Sequence, residues 1–486
     1  GCSLGIVYRL DDGSRARATS PVASHPRLRG IELVRPERVF VPHAAMRHTK
    51  AAATASPQAA VVDARDDDTT TNPGAAASQE ETSSSAGGLP RSGGGVGDAP
   101  AAAAAAWDAV TTTTTPEKQS RRPESEEEED VAAVSMAVHC FAYFWYRSKE
   151  HDARYAHWDH EHLPHWDARV NARFPPFRHD PDRGDIGSTF YPRLGAYSSR
   201  DASVLRTHVA SLKRARVGVV VASWYPPGRA DTATLVDDED LVPSLLDALG
   251  ASGLQLCLHL EPYEGRTAAK VRADVDRAVQ VYASHPAYYR VDGRPVFYAY
   301  DSYQIPPADW AAAFPRDNSG VYLVALALDR RHLDDYVLRG PFDAAYSYFG
   351  AVGFTAASTP TAWREFVDRA NKVGKQFIPC VAPGYDDSRV RPWNGENTRP
   401  REDGRYYDRM WQSAIDAGAS TIAVTSFNEW HEGTQIEEAV PFAPSRIGVD
   451  AYEDYGPGDT AAMYIERTRS WVGTFLQEQG HLRSSR

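Results

Sequence analysis

Eight short apolar runs, separated by segments of helical periodicity, constrain this chain more than any other feature. They are VHCFAYFWY (138–146), VGVVVASW (217–224), LQLCLHLE (254–261), PVFYAYD (295–301), GVYLVALAL (320–328), FDAAYSYF (342–349), KQFIPCVA (375–382) and STIAVTSF (420–427). Each is apolar or aromatic almost throughout, the pattern of a strand buried on both faces. Between them, SVLRTHVASLKRA, LVPSLLDALG, DVDRAVQVYASH, AWREFVDRANK and RYYDRMWQSAIDAG set apolar residues three and four apart, as amphipathic helices do. TAAMYIERTRSWVGTFLQEQ follows as a closing helix. Eight strands alternating with helices predict an α/β fold, a (β/α)8 TIM barrel, over 135–486. A doubly wound open sheet competes, but it usually has fewer strands, and no Gly-rich phosphate fingerprint follows the first run here.

Residues 1–134 read differently, with Ala runs, TTTTT, SSSAGGLPRSGGG and the acidic run ESEEEED. Such a segment buries too little apolar surface to offset its ordering entropy. It is expected to be a disordered, low-complexity stalk or linker. LGIVY near its start has the texture of the tail of a signal or anchor, and equally of nothing in particular. Across the 486 residues there is no apolar run of about 18, the length a membrane-spanning helix needs. The net charge of -12 leaves no basic footprint for nucleic acid. Of four cysteines, Cys140, Cys257 and Cys380 sit inside apolar runs and read as buried free thiols, and Cys2 lies in the low-complexity segment.

Barrel enzymes place their chemistry at the C-terminal ends of the strands. Those ends carry Tyr143, Trp145 and Tyr146; Trp224 and Tyr225; His259, Glu261 and Tyr263; Asp301 and Tyr303; Asp329; Tyr346 and Tyr348; Tyr385 and Asp386; and Asn428, Glu429, Trp430, His431 and Glu432. Aromatic faces stack on sugar rings and acids bond their hydroxyls, so an oligosaccharide is the expected partner.

The eighth end, TSFNEWHEGTQIEE, is the richest in acid. Glycoside hydrolysis takes two carboxyl groups, one protonated and one ionised. Glu429 and Glu432 are three residues apart, and a helical turn would point them to one side. Their mutual repulsion in a cleft would divide acid from base. A capping or surface cluster is the plainer reading of an isolated ExxE. Glu437 and Glu438 read as rim or surface. Glu261, in HLEPY, reads either as a hydroxyl-binding group supporting the pair or as an ion-pair partner of Arg266. HWDHEHLPHWD (157–167) brings together His157, His160, His162 and His165, but no HExxH spacing supports a metal site, and none is expected.

Taken together these stretches resemble glycoside hydrolase family 99, the endo-α-1,2-mannosidase family to which the Golgi endomannosidase belongs. FWY with HWDHEHLPHWD, DIGSTFYPRLGAYSSRD, SWYPPG, HLEPYEGR, FYAYDSY, YSYFGAVGF, PGYDD with RPWNGENTR, and SFNEWHEGTQIE carry the likeness in order. The resemblance implies a (β/α)8 barrel, no cofactor, and retaining endo-hydrolysis of an α-1,2-mannosidic bond in glucosylated high-mannose N-glycans. It further implies that the substrate's own 2-hydroxyl attacks to form a 1,2-anhydro sugar, with Glu429 as its base and Glu432 as acid, then base. By the same likeness Tyr143, Trp224, Tyr225, Glu261, Tyr263 and Tyr348 are expected to bind substrate, and His259, Asp301, Asn428 and Trp430, from their strand-end positions, and Trp393 are expected to bind it too. Trp224-Tyr225 resembles the order in animal members, which accept glucose at the next subsite. Ala142 departs from the family, standing where relatives usually carry Tyr. Family residence in the Golgi by an N-terminal anchor is the expected location. The competing functions are a catalytically silent carbohydrate-binding barrel, an endo-α-mannanase on other α-mannosides, and a metal-dependent hydrolase built on the histidines.

Overall fold

The eight apolar runs form one ring of parallel strands in a computed structural model that describes residues 6–9, 15–18, 133–229, 241–316, 319–456 and 460–484. The strands are β1 (Ser135–Ala142), β2 (Val217–Trp224), β3 (Gln255–Leu260), β4 (Arg294–Ala299), β5 (Tyr322–Leu326), β6 (Ala344–Tyr346), β7 and β8 (Ile422–Val424). β7 comes in two pieces, Gln376–Ile378 and Cys380–Val381. The first pairs with β6, Phe377 beside Ala345, and the second with β8, Val381 beside Val424. β8 in turn pairs with β1, Ala423 beside His139. The interrupted strand therefore closes the barrel. The break falls at Pro379, which has no N–H to give a ladder. Beyond it, Cys380 N–H turns to Ser347 Oγ at 2.9 Å.

The outer layer is α1 (Ala202–Arg214), α2 (Leu241–Ala251), α3 (Ala268–Tyr282), α4 (Pro307–Ala313), α5, α6 (Pro360–Asn371), α7 (Arg405–Asp416) and α8 (Met463–Ser484). Here α5 is a turn of helix, Arg330–His332, running into a π turn, Leu333–Leu338. Starts are marked by side chains that take up free N–H groups: Asp201 for α1 and Thr267 for α3, with proline in the first turn of α6. The buried stripe of α6 is Trp363, Phe366, Val367 and Ala370, the three-and-four spacing of a helix on a sheet. Trp363 is wholly enclosed, and its truncation to Ala would cost about 3–5 kcal/mol.

Inside the barrel the filling is aromatic. Phe141 stacks on Tyr346 at 5.5 Å and lies edge-on to Tyr298 at 5.6 Å. His139 Nδ1 meets Tyr298 Oη at 2.6 Å, and burial lowers the imidazole to about 4, so it is neutral. Cys140, Cys257 and Cys380 are buried free thiols, as expected.

The first run was read as a strand through residue 146, but β1 stops at Ala142. Tyr143 leaves the ladder because its backbone is taken by a side chain of the eighth loop, described below. The segment 1–134 and its Cys2 lie outside the described residues, apart from 133–134 and a short antiparallel hairpin of Ile6–Arg9 with Arg15–Ala18. Among the described residues no helix is long and apolar enough to cross a membrane.

Candidate active site

Beyond β8 the chain folds back over the barrel end. Ser426 N–H donates to the Thr434 carbonyl at 2.9 Å, their hydroxyls meet at 2.9 Å, and Ile436 N–H reaches the Ser426 carbonyl at 2.9 Å. This closure pinches off one 3-10 turn, Trp430–Glu432, with Glu429 as its N-cap residue. Glu429 N–H donates to Ser426 Oγ at 2.7 Å. Gly433 ends the turn at φ 60°, where an added Cβ would stand 2.8 Å from the Asp386 carbonyl oxygen. The Asp386 N–H in turn donates to the Glu432 carbonyl at 2.8 Å. Of the ExxE pair, Glu432 thus sits in the turn and Glu429 just before it, with non-helical backbone at φ -79° and ψ 81°.

Glu429 is buried. Its Oε1 lies 3.2 Å from His431 Nδ1, and its Oε2 has no hydrogen-bond partner in the protein. The Glu432 side chain is 13% exposed, enough for a ligand to reach it, and its Oε2 is likewise unpartnered. Buried polar atoms are costly to leave unmatched, so these oxygens are open to a donor from outside the protein. Burial pushes the Glu432 carboxyl up to about 8. Arg391, whose Nη1 is 3.8 Å from Oε1, opposes the shift, while the negative charges of Glu429 and Asp387 add to it. Glu432 is therefore protonated at neutral pH. Arg391 is itself fixed by Asp387, Nη1 to Oδ2 at 2.8 Å, and Asp387 also accepts from Tyr385 Oη at 2.9 Å and Asn394 Nδ2 at 2.9 Å.

Tyr143 and Tyr348 bond hydroxyl to hydroxyl beside the pair, both buried. Burial and the nearby carboxylates raise both phenols, so they stay neutral. Glu261 accepts from Ser223 Oγ at 2.8 Å and lies 3.4 Å from His259 Nδ1. The Arg266 ion pair does not form: that guanidinium donates to the carbonyls of Tyr300 and Asp301 at 2.9 and 2.8 Å. Tyr225, Tyr263 and Trp393 are partly exposed. Tyr263 Oη is held by Asp274 at 2.5 Å, with Arg229 over its ring, and Trp393 Nε1 donates to the Leu163 carbonyl at 2.8 Å. Trp224 is buried.

Four expected binding residues present no such surface. Asp301 is wholly buried, accepting from Tyr303 Oη at 2.6 Å and Gln304 Nε2 at 2.8 Å, and burial raises it to about 7. His259 is enclosed in the barrel against Phe141 and Tyr346. Asn428 and Trp430 are wholly buried supports. Asn428 clamps the Tyr143 backbone, and the Trp430 indole donates to Glu437 Oε2 at 3.0 Å. Glu437 is not rim: it is buried between His208 Nε2 at 2.9 Å, Tyr197 Oη at 2.7 Å and that indole. Three donors from three segments draw it inward. Glu438 does face outward, paired with Arg193 at 3.0 Å.

Of the histidines of 157–167, His157 and His160 gather against His431, ring centres 5.5 and 4.8 Å from it, and the other two pack elsewhere. His157 stacks on Trp145 at 4.3 Å, His162 packs on Phe177 at 4.9 Å, and His165 stacks on Trp166 at 3.7 Å. Among the described residues no group of three or more His, Cys, Asp or Glu is placed to hold a metal ion. Asp387, Arg391 and Ser223 were not singled out in the sequence. The four-residue spacing of Asp387 and Arg391, after a strand end, is the signal that could have found them.

Comparison with known proteins places the chain in a family. The profile of glycosyl hydrolase family 99 matches residues 133–477. A mouse glycoprotein endo-alpha-1,2-mannosidase-like protein is 41% identical, over 70% of this chain and 77% of its own. The glycoprotein endo-alpha-1,2-mannosidase of Xenopus laevis is 40% identical, over 71% and 78%. The structure of a GH99 endo-alpha-mannosidase from Bacteroides thetaiotaomicron superposes with a TM-score of 0.65 at 38% identity, covering 72% of this chain and all 100% of that one. A barrel that aims two unpartnered carboxyl oxygens from its eighth strand end, in a chain with these relatives, belongs to glycosyl hydrolase family 99 and is a glycoside hydrolase.

Proposed function

We propose that the protein is a retaining endo-α-1,2-mannosidase acting on glucosylated high-mannose N-glycans and releasing a Glc-Man fragment. The observation that carries the reading is the unequal pair: Glu432 held protonated, with an unpartnered oxygen, three residues from Glu429 with its own. Glu429 takes the proton of the 2-hydroxyl on the mannose being cleaved. That oxygen attacks the anomeric carbon and forms a 1,2-anhydro sugar, while Glu432 gives its proton to the departing oxygen. Glu432, now a carboxylate, takes a proton from water as the water opens the three-membered ring, and Glu429 returns its proton to the 2-oxygen. Two inversions give net retention. The neutral hydroxyls of Tyr143 and Tyr348, and Glu261, are suited to hold the sugar; Tyr225, Tyr263 and Trp393 would line the outer subsites. The Trp224-Tyr225 order supports a glucose cap on the mannose. The resemblance to the Golgi endomannosidase supports a location in the Golgi.

A substrate analogue lacking the 2-hydroxyl on the cleaved mannose tests the route. It should bind with little loss and resist cleavage. Cleavage at a rate near that of the parent glycan would rule out attack by the 2-oxygen.

A further inference from the structure

The turn between the two glutamates is weakly held by its own backbone. Its internal bonds are long: Glu432 N–H reaches the Glu429 carbonyl at 3.3 Å, and Gly433 N–H the Trp430 carbonyl at 3.3 Å. A single 3-10 turn has poor hydrogen-bond geometry, so contacts from elsewhere must set its aim. The Trp430 side chain makes one such contact. It is wholly buried, and its indole N–H is shared between Glu437 Oε2 at 3.0 Å and Tyr197 Oη at 3.3 Å.

Glu437 is itself firmly held. Its N–H donates to the Phe427 carbonyl at 2.9 Å, and its carbonyl accepts from Tyr455 Oη at 2.7 Å. Its Oε1 meets Nε2 of His208, on α1, at 2.9 Å, and its Oε2 accepts from Tyr197 Oη at 2.7 Å. The His208 ring packs edge-on to Tyr197 at 4.9 Å and to Phe427 at 5.1 Å, which keeps it in place. Burial and the charge of Glu437 raise the Tyr197 phenol, so it keeps the proton it donates. Both carboxylate oxygens are thus taken within the protein.

Tyr197 carries the contact to a second wall of the site. Its Oη accepts from Asn428 Nδ2 at 3.2 Å. That amide also donates to the Tyr143 carbonyl at 2.7 Å, and Asn428 Oδ1 accepts from Tyr143 N–H at 2.7 Å. One buried carboxylate therefore stands behind both the glutamate turn and Tyr143, and bonds in such a chain polarise and strengthen one another.

We propose that Glu437 is a positioning residue for catalysis: through the Trp430 indole it aims the turn bearing Glu429 and Glu432, and through Tyr197 and Asn428 it fixes the Tyr143 phenol beside them. The inference rests on the reading of Glu429 and Glu432 as base and acid. Glu437 acts only through its neighbours, so its removal displaces reacting groups without deleting any. A misplacement of about 1 Å in such a site costs on the order of 100-fold in rate.

Two substitutions at Glu437 separate positioning from mere support. Glu437→Gln can set its amide oxygen at the Oε2 position, where it still accepts from Trp430 and Tyr197, and turn its NH2 to His208, whose other tautomer accepts. Glu437→Met is of similar length and removes every strong acceptor. The assay is kcat and KM on a glucose-capped high-mannose N-glycan, at a temperature where circular dichroism shows each variant folded. Glu437→Met should lose roughly 10- to 100-fold in kcat, with KM within about threefold of the wild type. Glu437→Gln should recover to within about fivefold, a neutral acceptor being weaker than a charged one. A residue that served stability alone would lower the melting point and leave the kcat of the folded protein unchanged. A kcat within about twofold of the wild type in folded Glu437→Met therefore overturns the proposal, as does a loss in Glu437→Gln equal to that in Glu437→Met. If Glu437→Met does not fold, Trp430→Phe decides: it takes away the indole N–H, and kcat should fall about fivefold or more, whereas an unchanged kcat overturns the proposal. Glu429→Gln and Glu432→Gln in the same assay separate the two claims. Full activity in either removes the acid and base reading itself, whereas loss in both with a wild-type kcat in Glu437→Met removes only the positioning role.

Discussion

The Asn428 side chain holds the backbone of Tyr143 at both polar atoms: its Oδ1 accepts from Tyr143 N–H at 2.7 Å, and its Nδ2 donates to the Tyr143 carbonyl at 2.7 Å. A side chain from the end of β8 thus completes the ladder where β1 has ended. It fixes the phenol of Tyr143 beside Glu429. Asn428→Ala should leave two buried backbone groups unmatched and cost about 2–4 kcal/mol. Denaturant titration reads that loss, and a cost under about 0.5 kcal/mol would mean the clamp is idle.

With Glu432 as the proposed acid, the alkaline side of catalysis follows its carboxyl. Its folded value of about 8 lies above the ordinary 4.5, so the acid is present below pH 8 and lost above it. Turnover of a natural glycan should fall as pH rises through that region. Arg391→Gln removes the cation that holds Glu432 down, so the alkaline limb should move further up. The sign for stability follows the same shift. The folded state keeps a proton that the unfolded chain releases, so the contribution of Glu432 to stability is full below about 4.5 and is lost as pH rises toward 8. Glu432→Gln should flatten that decline in denaturation midpoints measured at several pH values.

Gly433→Ala should be damaging although the residue carries no chemistry. The new Cβ would meet the Asp386 carbonyl oxygen at 2.8 Å and the Asp386 nitrogen at 3.0 Å, at a positive φ of 60°. The strain should cost roughly 1–3 kcal/mol. Because Asp386 and Glu432 share a backbone bond, kcat should fall more than stability alone explains.

Glu437→Ala should destabilise by roughly 3 kcal/mol or more, since it strips the shared acceptor from His208, Tyr197 and Trp430. Thermal melting checks this. A melting point equal to that of the wild type would return Glu437 to the rim.

Much of this was legible in the sequence because it is local. Continuous apolar runs mark strands buried on two faces, and a strand end marks where a barrel does its chemistry, which is how Glu429, Glu432 and Glu261 became candidates. What the sequence hid depends on distant partners. Asn428 was taken for a substrate contact; its role is set by Tyr143, 285 residues away. Glu437 looked like surface because the His208 that buries it lies 229 residues off. Asp301 had the right position but is consumed by its near neighbours Tyr303 and Gln304, a competition that spacing alone does not decide.

The most direct test of the account is a digest of a glucose-capped high-mannose N-glycan by the wild type, Glu429→Gln and Glu432→Gln, read by mass spectrometry. The account predicts a released Glc-Man disaccharide with the wild type and at least about 100-fold less with either variant, the span of a lost acid or base. Full release by either variant, or binding without release by the wild type, would contradict it.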